Sequence, residues 1–168
     1  MPKNNLLAYL HTSLESHIMR FAFLVLSLLA AWPLLAQKPS VVVFGTIRDF
    51  STRDSLPFPT VQLREPMSAT VVQITTTGLG TYEVELTEEM VYVITYSGPK
   101  KVTKSVQIDT RGPNAKEWEG GFGMNIDISL LDSLPGVDFS ALEAPFGQAR
   151  WNKGSSSFQW DLAYMRKL

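Results

Sequence analysis

The residue types that carry most enzyme chemistry are scarce in this sequence. Its 168 residues include no cysteine and two histidines, His11 and His17, and both precede an apolar run at 21–35. If that run is a cleaved leader, the exported chain has neither residue type. That removes Ser-His-Asp and Cys-His nucleophilic catalysis, zinc and haem sites, and disulfides. The acidic residues offer two further chemistries. Asp49 and Asp54 share a loop with Ser51 and Thr52, but the loop lacks the alternating ligands and terminal bidentate acid of a dedicated Ca²⁺ site, so they read as turn stabilisers. Carboxylate-pair hydrolysis needs two acids about 5–10 Å apart across a cleft. Glu83, Glu85, Glu88 and Glu89 fall instead on an exposed strand face and its turn. The expectation is no enzyme, no cofactor and no metal.

Aromatic residues are the remaining candidates. Tyr82, Tyr92 and Tyr96 share strand faces with Val84, Leu86 and Ile94, which makes them core residues rather than a sugar-stacking platform. Trp118, Trp151 and Trp160 stand in loop or tail sequence, where an indole either packs on the domain or anchors a partner or glycan. Packing that covers apolar surface and protects a sheet edge is the favoured reading, and the three are the candidate contact residues. Lys100, Lys101 and Lys104 form the basic cluster and read as a solvated strand face.

Met19-Arg20, about a dozen apolar residues, and Ala36 before a polar stretch have the layout of a secretory signal. Cleavage is expected after Ala36 or Gln37, and translation is expected to start at Met19. The uninterrupted apolar run is about 16 residues and meets Pro33, short of the roughly 20 that a spanning helix needs. No transmembrane span is therefore expected after cleavage. With no cysteine after the leader, anchoring as a lipoprotein is not expected either. Removing residues 1–37 takes away Lys3, Arg20 and Glu15 and leaves a net charge of −2. With no run of five basic residues, a nucleic-acid surface is not expected. The protein is expected to be exported, periplasmic or extracellular.

The elements that must position these residues read at period two. Strands are expected at 41–48, 60–64, 70–75, 81–86, 91–97, 101–108 and 122–130, with Val61, Leu63, Val72 and Ile74 inward on the second and third. The clearest alternation sets Met124, Ile126, Ile128 and Leu130 against Asn125, Asp127 and Ser129. Gly78-Leu-Gly80 and Gly98-Pro99 mark turns, and no internal helix stands out. Beyond Leu131 the pattern changes. Ala141-Leu-Glu reads as one helical turn, 146–152 and 158–161 as a hairpin that aligns Trp151 with Phe158 or Trp160, and Asp161 as the cap of a short terminal helix. The expected fold is an all-β, seven-stranded antiparallel Greek-key sandwich over 38–131, with a signal helix in 1–37 and a hairpin-like extension at 132–168.

Three stretches carry a family resemblance. Phe44-Gly-Thr-Ile-Arg-Asp, followed by Ser55-Leu-Pro-Phe-Pro-Thr-Val-Gln-Leu63, resembles the opening of carboxypeptidase regulatory-like domains. Thr77-Gly-Leu-Gly-Thr-Tyr-Glu-Val-Glu-Leu86 and the segment from Val91 to Lys104 are similar to that family's next turn and strands. The sequence departs from the family pattern at Pro59, at Gly98-Pro99 and in the missing turn aspartate before Gly80. The resemblance implies a transthyretin-like sandwich, and its motifs encode turns and inward residues, so it speaks to fold. Gly120-Gly-Phe-Gly-Met-Asn-Ile-Asp-Ile-Ser-Leu130 and Val137-Asp-Phe-Ser140 are similar to exported Bacteroidota proteins with a comparable tail. The functional expectation is a non-catalytic module with a structural or interaction role, its partners envelope proteins. The alternative is a carbohydrate-binding module using the tail tryptophans.

Overall fold

The computed structural model describes residues 40–167 apart from 66, 68 and 69. The expected signal segment and its helix lie outside the described residues. The chain divides between Gln37 and Lys38, and the described residues belong to the second unit.

Ten strands are described: β1 (Ser40–Asp49), β2 (Thr60–Arg64), β3 (Val71–Ile74), β4 (Thr81–Thr87), β5 (Val91–Ser97), β6 (Lys104–Asp109), β7 (Phe122–Asn125), β8 (Ile128–Leu130), β9 (Gly147–Asn152) and β10 (Ser157–Trp160). Two one-turn helices accompany them, α1 (Ala115–Trp118) and α2 (Leu162–Met165). One sheet is centred on β1, which pairs antiparallel with β4 and parallel with both β7 and β8. The other runs β10-β9-β6-β5-β2-β3.

The two sheets form the sandwich that the alternation called for. Val41, Val43 and Ile47 of β1 and Tyr82, Val84 and Leu86 of β4 share one core with Val61, Ile94, Tyr96, Val106 and Ile108 of the other sheet. Each fully buried aliphatic side chain contributes about 1.5–3 kcal/mol, and a one-residue slip would turn the whole set outward, so this burial fixes register. Three strand pairs, β1–β7, β1–β8 and β6–β9, are parallel rather than antiparallel. Parallel partners require a long crossover and so lie far apart in sequence, where local alternation carries no direction.

Several local expectations change in detail. The strand expected at 122–130 divides into β7 and β8 at Ile126 and Asp127, where Ile126 N donates to Phe44 O (2.8 Å) and Asp127 Oδ1 accepts from Thr46 N (2.8 Å). Ile126 still points into the core. Val72 is 48% exposed, because β3 is an edge strand that the opposite sheet leaves largely uncovered. A helical turn does occur between β6 and β7: Asn114 and Glu117 form a reciprocal capping box around α1, which buries Trp118.

The tail follows its expected layout. Phe158 lies opposite Trp151 in the β9–β10 hairpin, Ser140–Leu142 makes a 3₁₀ turn, and Asp161 Oδ1 caps α2 by accepting from Ala163 N and Tyr164 N. Residues 132–168 also supply two strands of the six-stranded sheet, because β9 adds to β6 in parallel.

Candidate functional site

The three candidate tryptophans serve the sandwich itself. Trp118 is 2% exposed and Trp151 9% exposed. With Phe122 and Phe158 they form a ring cluster of four edge-to-face pairs, centroids 5.1–5.4 Å apart, and one tilted pair, Trp118 and Phe158, at 6.1 Å. Both indole N–H groups are buried without an acceptor among the described residues, so ring contacts hold the cluster. Trp160 is partly buried, its ring seated over Gly147, where a Cβ would stand 2.9 Å from Cζ3. Neither Trp118 nor Trp151 presents a free indole face to a partner. Tyr82 and Tyr96 are core residues as expected, their hydroxyls 2.9 Å apart, and burial pushes both phenols above the ordinary tyrosine range.

The lysine cluster does not form one solvated face. The Lys101 ammonium is buried between the carboxylates of Asp49 and Asp132, the second at 2.6 Å. Asp132, then Asp49, hold Lys101 above the usual lysine range. Lys101, followed by the backbone N–H groups of Thr52 and Ser51, holds the Asp49 carboxyl below the usual range. Asp49 is thus the turn stabiliser expected, with an ion pair added. Lys104 donates to Ser129 O (2.7 Å), stands 5.6 Å from the Phe146 ring centre, and has its pKa lowered by burial.

These contacts anchor a segment that builds a concavity. Val102 N donates to Leu131 O and Ser133 N to Lys100 O, both at 2.8 Å, at the start of the tail. At its far end Phe146 N donates to Ser105 O (2.9 Å). Between these anchors, residues 137–145 wall a groove of about 760 Å³ on the outer face of the six-stranded sheet. Its floor is made by the outward positions of β2, β5 and β6: Arg64, Val93, Thr95, Ser105 and Gln107. On this floor Val93 and Ser105 are only 7% and 8% exposed, though neither belongs to the cluster packed between the two sheets. Its own shape is set by Asp138, whose Oδ1 accepts from Ser140 N (2.8 Å), which lowers the carboxyl's pKa. A groove of this size with mixed apolar and polar lining is within the range of ligand sites. A second concavity, about 450 Å³, lies beside the exposed Phe44 ring and is lined by Thr46, Thr77, Thr81, Glu83 and Asn125.

The groove sits in a row of side chains that the sequence reading did not single out. The chain has six glutamines, and the five described ones, Gln62, Gln73, Gln107, Gln148 and Gln159, stand one each on β2, β3, β6, β9 and β10. Gln62, Gln107, Gln148 and Gln159 alternate with buried or core-packed residues, and Gln73 lies opposite Gln62, which places all five on the outer face of one sheet. Gln62 lies opposite Gln73, with Nε2 and Oε1 3.5 Å apart, and Gln107 lies opposite Gln148. The signal was legible as a recurring apolar-Gln-apolar triplet: Val61-Gln-Leu63, Val72-Gln-Ile74, Val106-Gln-Ile108 and Phe158-Gln-Trp160.

No family model and no curated protein matches the chain. Similar solved structures include catechol 1,2-dioxygenase from Acinetobacter sp. ADP1 (12% identity, TM-score 0.43), covering 63% of this chain and 57% of that one. A DUF3823 family protein from Parabacteroides merdae has 12% identity and a TM-score of 0.41, covering 57% and 48%. Chlorocatechol 1,2-dioxygenase from Pseudomonas putida has 10% identity and a TM-score of 0.41, covering 60% and 63%. The chain thus spans less than two thirds of each. Likenesses at this level bear no site or activity across to this chain. They do correct one expectation: with two enzymes among them, the inference from residue types that the chain is not an enzyme does not stand.

Proposed function

We propose that this chain is an exported binding module of the cell envelope that holds its partner in the groove between the outer face of the six-stranded sheet and residues 137–145. The groove carries this reading. It is a concavity of about 760 Å³ whose wall is tied down at both ends, so a ligand finds it already formed. The leader at 19–37 supports export, and the motifs at 44–63 and 77–86 support membership of the carboxypeptidase regulatory-like domains. In the fold those motifs are β1 with the loop into β2, and the turn that leads into β4. The tryptophan contribution is a structural one here, since Trp151 and Phe158 lock the hairpin that continues the sheet beside the groove.

The test is co-sedimentation of the purified exported protein with isolated cell envelopes, compared with Thr95→Trp. Thr95 faces outward on the groove floor, so the indole fills the groove without entering the core. We expect the variant to melt within a few degrees of the parent and to lose at least fivefold of its envelope retention. Equal retention of the two proteins contradicts the groove as the binding surface.

A further inference from the structure

The outer face of the six-stranded sheet is surfaced in a way the other sheet is not. On the opposite side of the molecule β4 presents Glu83 and Glu85 outward. Glutamate and glutamine have the same length and shape, and either solvates a strand. Charged side chains also do more to keep strands from mispairing. Five strands each place a carboxamide on one face, with Asp109 the outward carboxylate of β6 at the end of the row, and a carboxamide serves ligands that a carboxylate does not.

Their arrangement is a line rather than a scatter. Gln73 and Gln62 are cross-strand neighbours, and Gln62 lies opposite Thr95. Thr95 in turn lies opposite Ser105, two residues before Gln107 on the same face. Gln107 lies opposite Gln148, and two residues further along β9 Arg150 lies opposite Gln159. The carboxamides thus run diagonally over all six strands, bridged at β5 by a hydroxyl. With neighbouring strands about 4.8 Å apart, the track is at least roughly 24 Å across. The groove lies at its middle, with Thr95, Ser105 and Gln107 on the floor and Phe139 and Leu142 on the wall.

A carboxamide offers one acceptor oxygen and two N–H donors without net charge. Neighbouring hydroxyls on a sugar ring present the complementary donor and acceptor, and the C–H faces of the ring suit apolar contacts such as Phe139 and Leu142. An anionic polymer would be met by a row of unpaired Arg and Lys, whereas the cations beside this line are Arg64 and Arg150, and Arg150 is ion-paired with Asp161 (3.1 Å). An added peptide strand would take a sheet edge, whereas this line crosses the strands. We propose that the track binds an extended, uncharged polysaccharide, gripped in the groove at Gln107. This deepens the binding-module reading and rests on it.

Affinity electrophoresis of the exported protein tests it, in native gels containing laminarin, xylan or mannan, with polygalacturonate as the anionic contrast. We expect retardation by at least one neutral polymer and none by polygalacturonate. The double variant Gln107→Ala/Gln148→Ala is expected to bind about tenfold more weakly, since two hydrogen-bonding side chains are lost. Glu83→Gln on the other sheet is expected to stay within twofold of the parent, and thermal melts verify that each variant folds. Retardation by polygalacturonate alone, none by any neutral polymer, or equal retardation of the double variant overturns the proposal. Where these failures occur while Thr95→Trp still abolishes envelope retention, the ligand class is wrong and the groove reading stands. If Thr95→Trp has no effect either, both fall.

Discussion

Tyr82 and Tyr96 show how a polar chain is satisfied inside the sandwich. Tyr82 Oη donates its single proton to Ile126 O (2.8 Å), so the 2.9 Å contact between the two hydroxyls has Tyr96 as donor. The two positions are therefore not equivalent. Tyr96→Phe leaves the Tyr82 donor satisfied, and is expected to cost at most about 1 kcal/mol. Tyr82→Phe strands the Tyr96 hydroxyl and removes the donor to Ile126 O, and is expected to cost about 1–3 kcal/mol. Urea unfolding of the two variants measures the difference, and equal losses would contradict the assigned direction of the chain. Alternation in the sequence placed both tyrosines inside, because burial follows period two. The pairing of their hydroxyls was not legible, since it joins β4, β5 and the break between β7 and β8. The tryptophans mark the opposite limit. Trp118 and Trp151 stood outside the antiparallel pattern, and their burial depends on β9 joining β6.

At the scale of elements, β1 has neighbours on both sides and tolerates little change where β7 gives way to β8. A Cβ at Gly45 would stand 2.2 Å from Ile126 O and 2.7 Å from Ile126 C. The contact is with backbone, and the Ile126 N–H bond to Phe44 O holds that backbone close. Gly45→Ala therefore forces two segments apart and is expected to cost at least about 2 kcal/mol, toward the upper end of overpacking. Chemical denaturation measures it; a loss under about 0.5 kcal/mol would show that the β7–β8 junction yields freely. The division of one alternating run into two strands was invisible in sequence, because Met124, Ile126, Ile128 and Leu130 keep their inward phase through it. Most strands were legible almost residue for residue, as at 60–64 and 91–97, because alternation and turn residues are local signals, whereas the strand expected from Lys101 begins at Lys104.

For the molecule as a whole, the tail turns a sandwich into a surface. β9 and β10 extend the second sheet, and residues 137–145 wall its outer face. The sequence showed the hairpin but not where it would dock, because parallel addition to β6 leaves no local trace. It also held the glutamine triplets in plain view, but their union on one face depends on the strand order. The two outer faces now differ in kind, with carboxylates on β4 and carboxamides along the diagonal track. The most direct measurement is a ¹H–¹⁵N spectrum of the purified protein, in which every glutamine side-chain NH₂ is visible, titrated with laminarin, xylan and mannan. The side-chain amides of Gln62, Gln107 and Gln148 are expected to be perturbed, with backbone shifts in β5 and β6. Shifts confined to Phe44, Thr46 and Glu83 on the opposite sheet, or no shifts with any of the three, would contradict it.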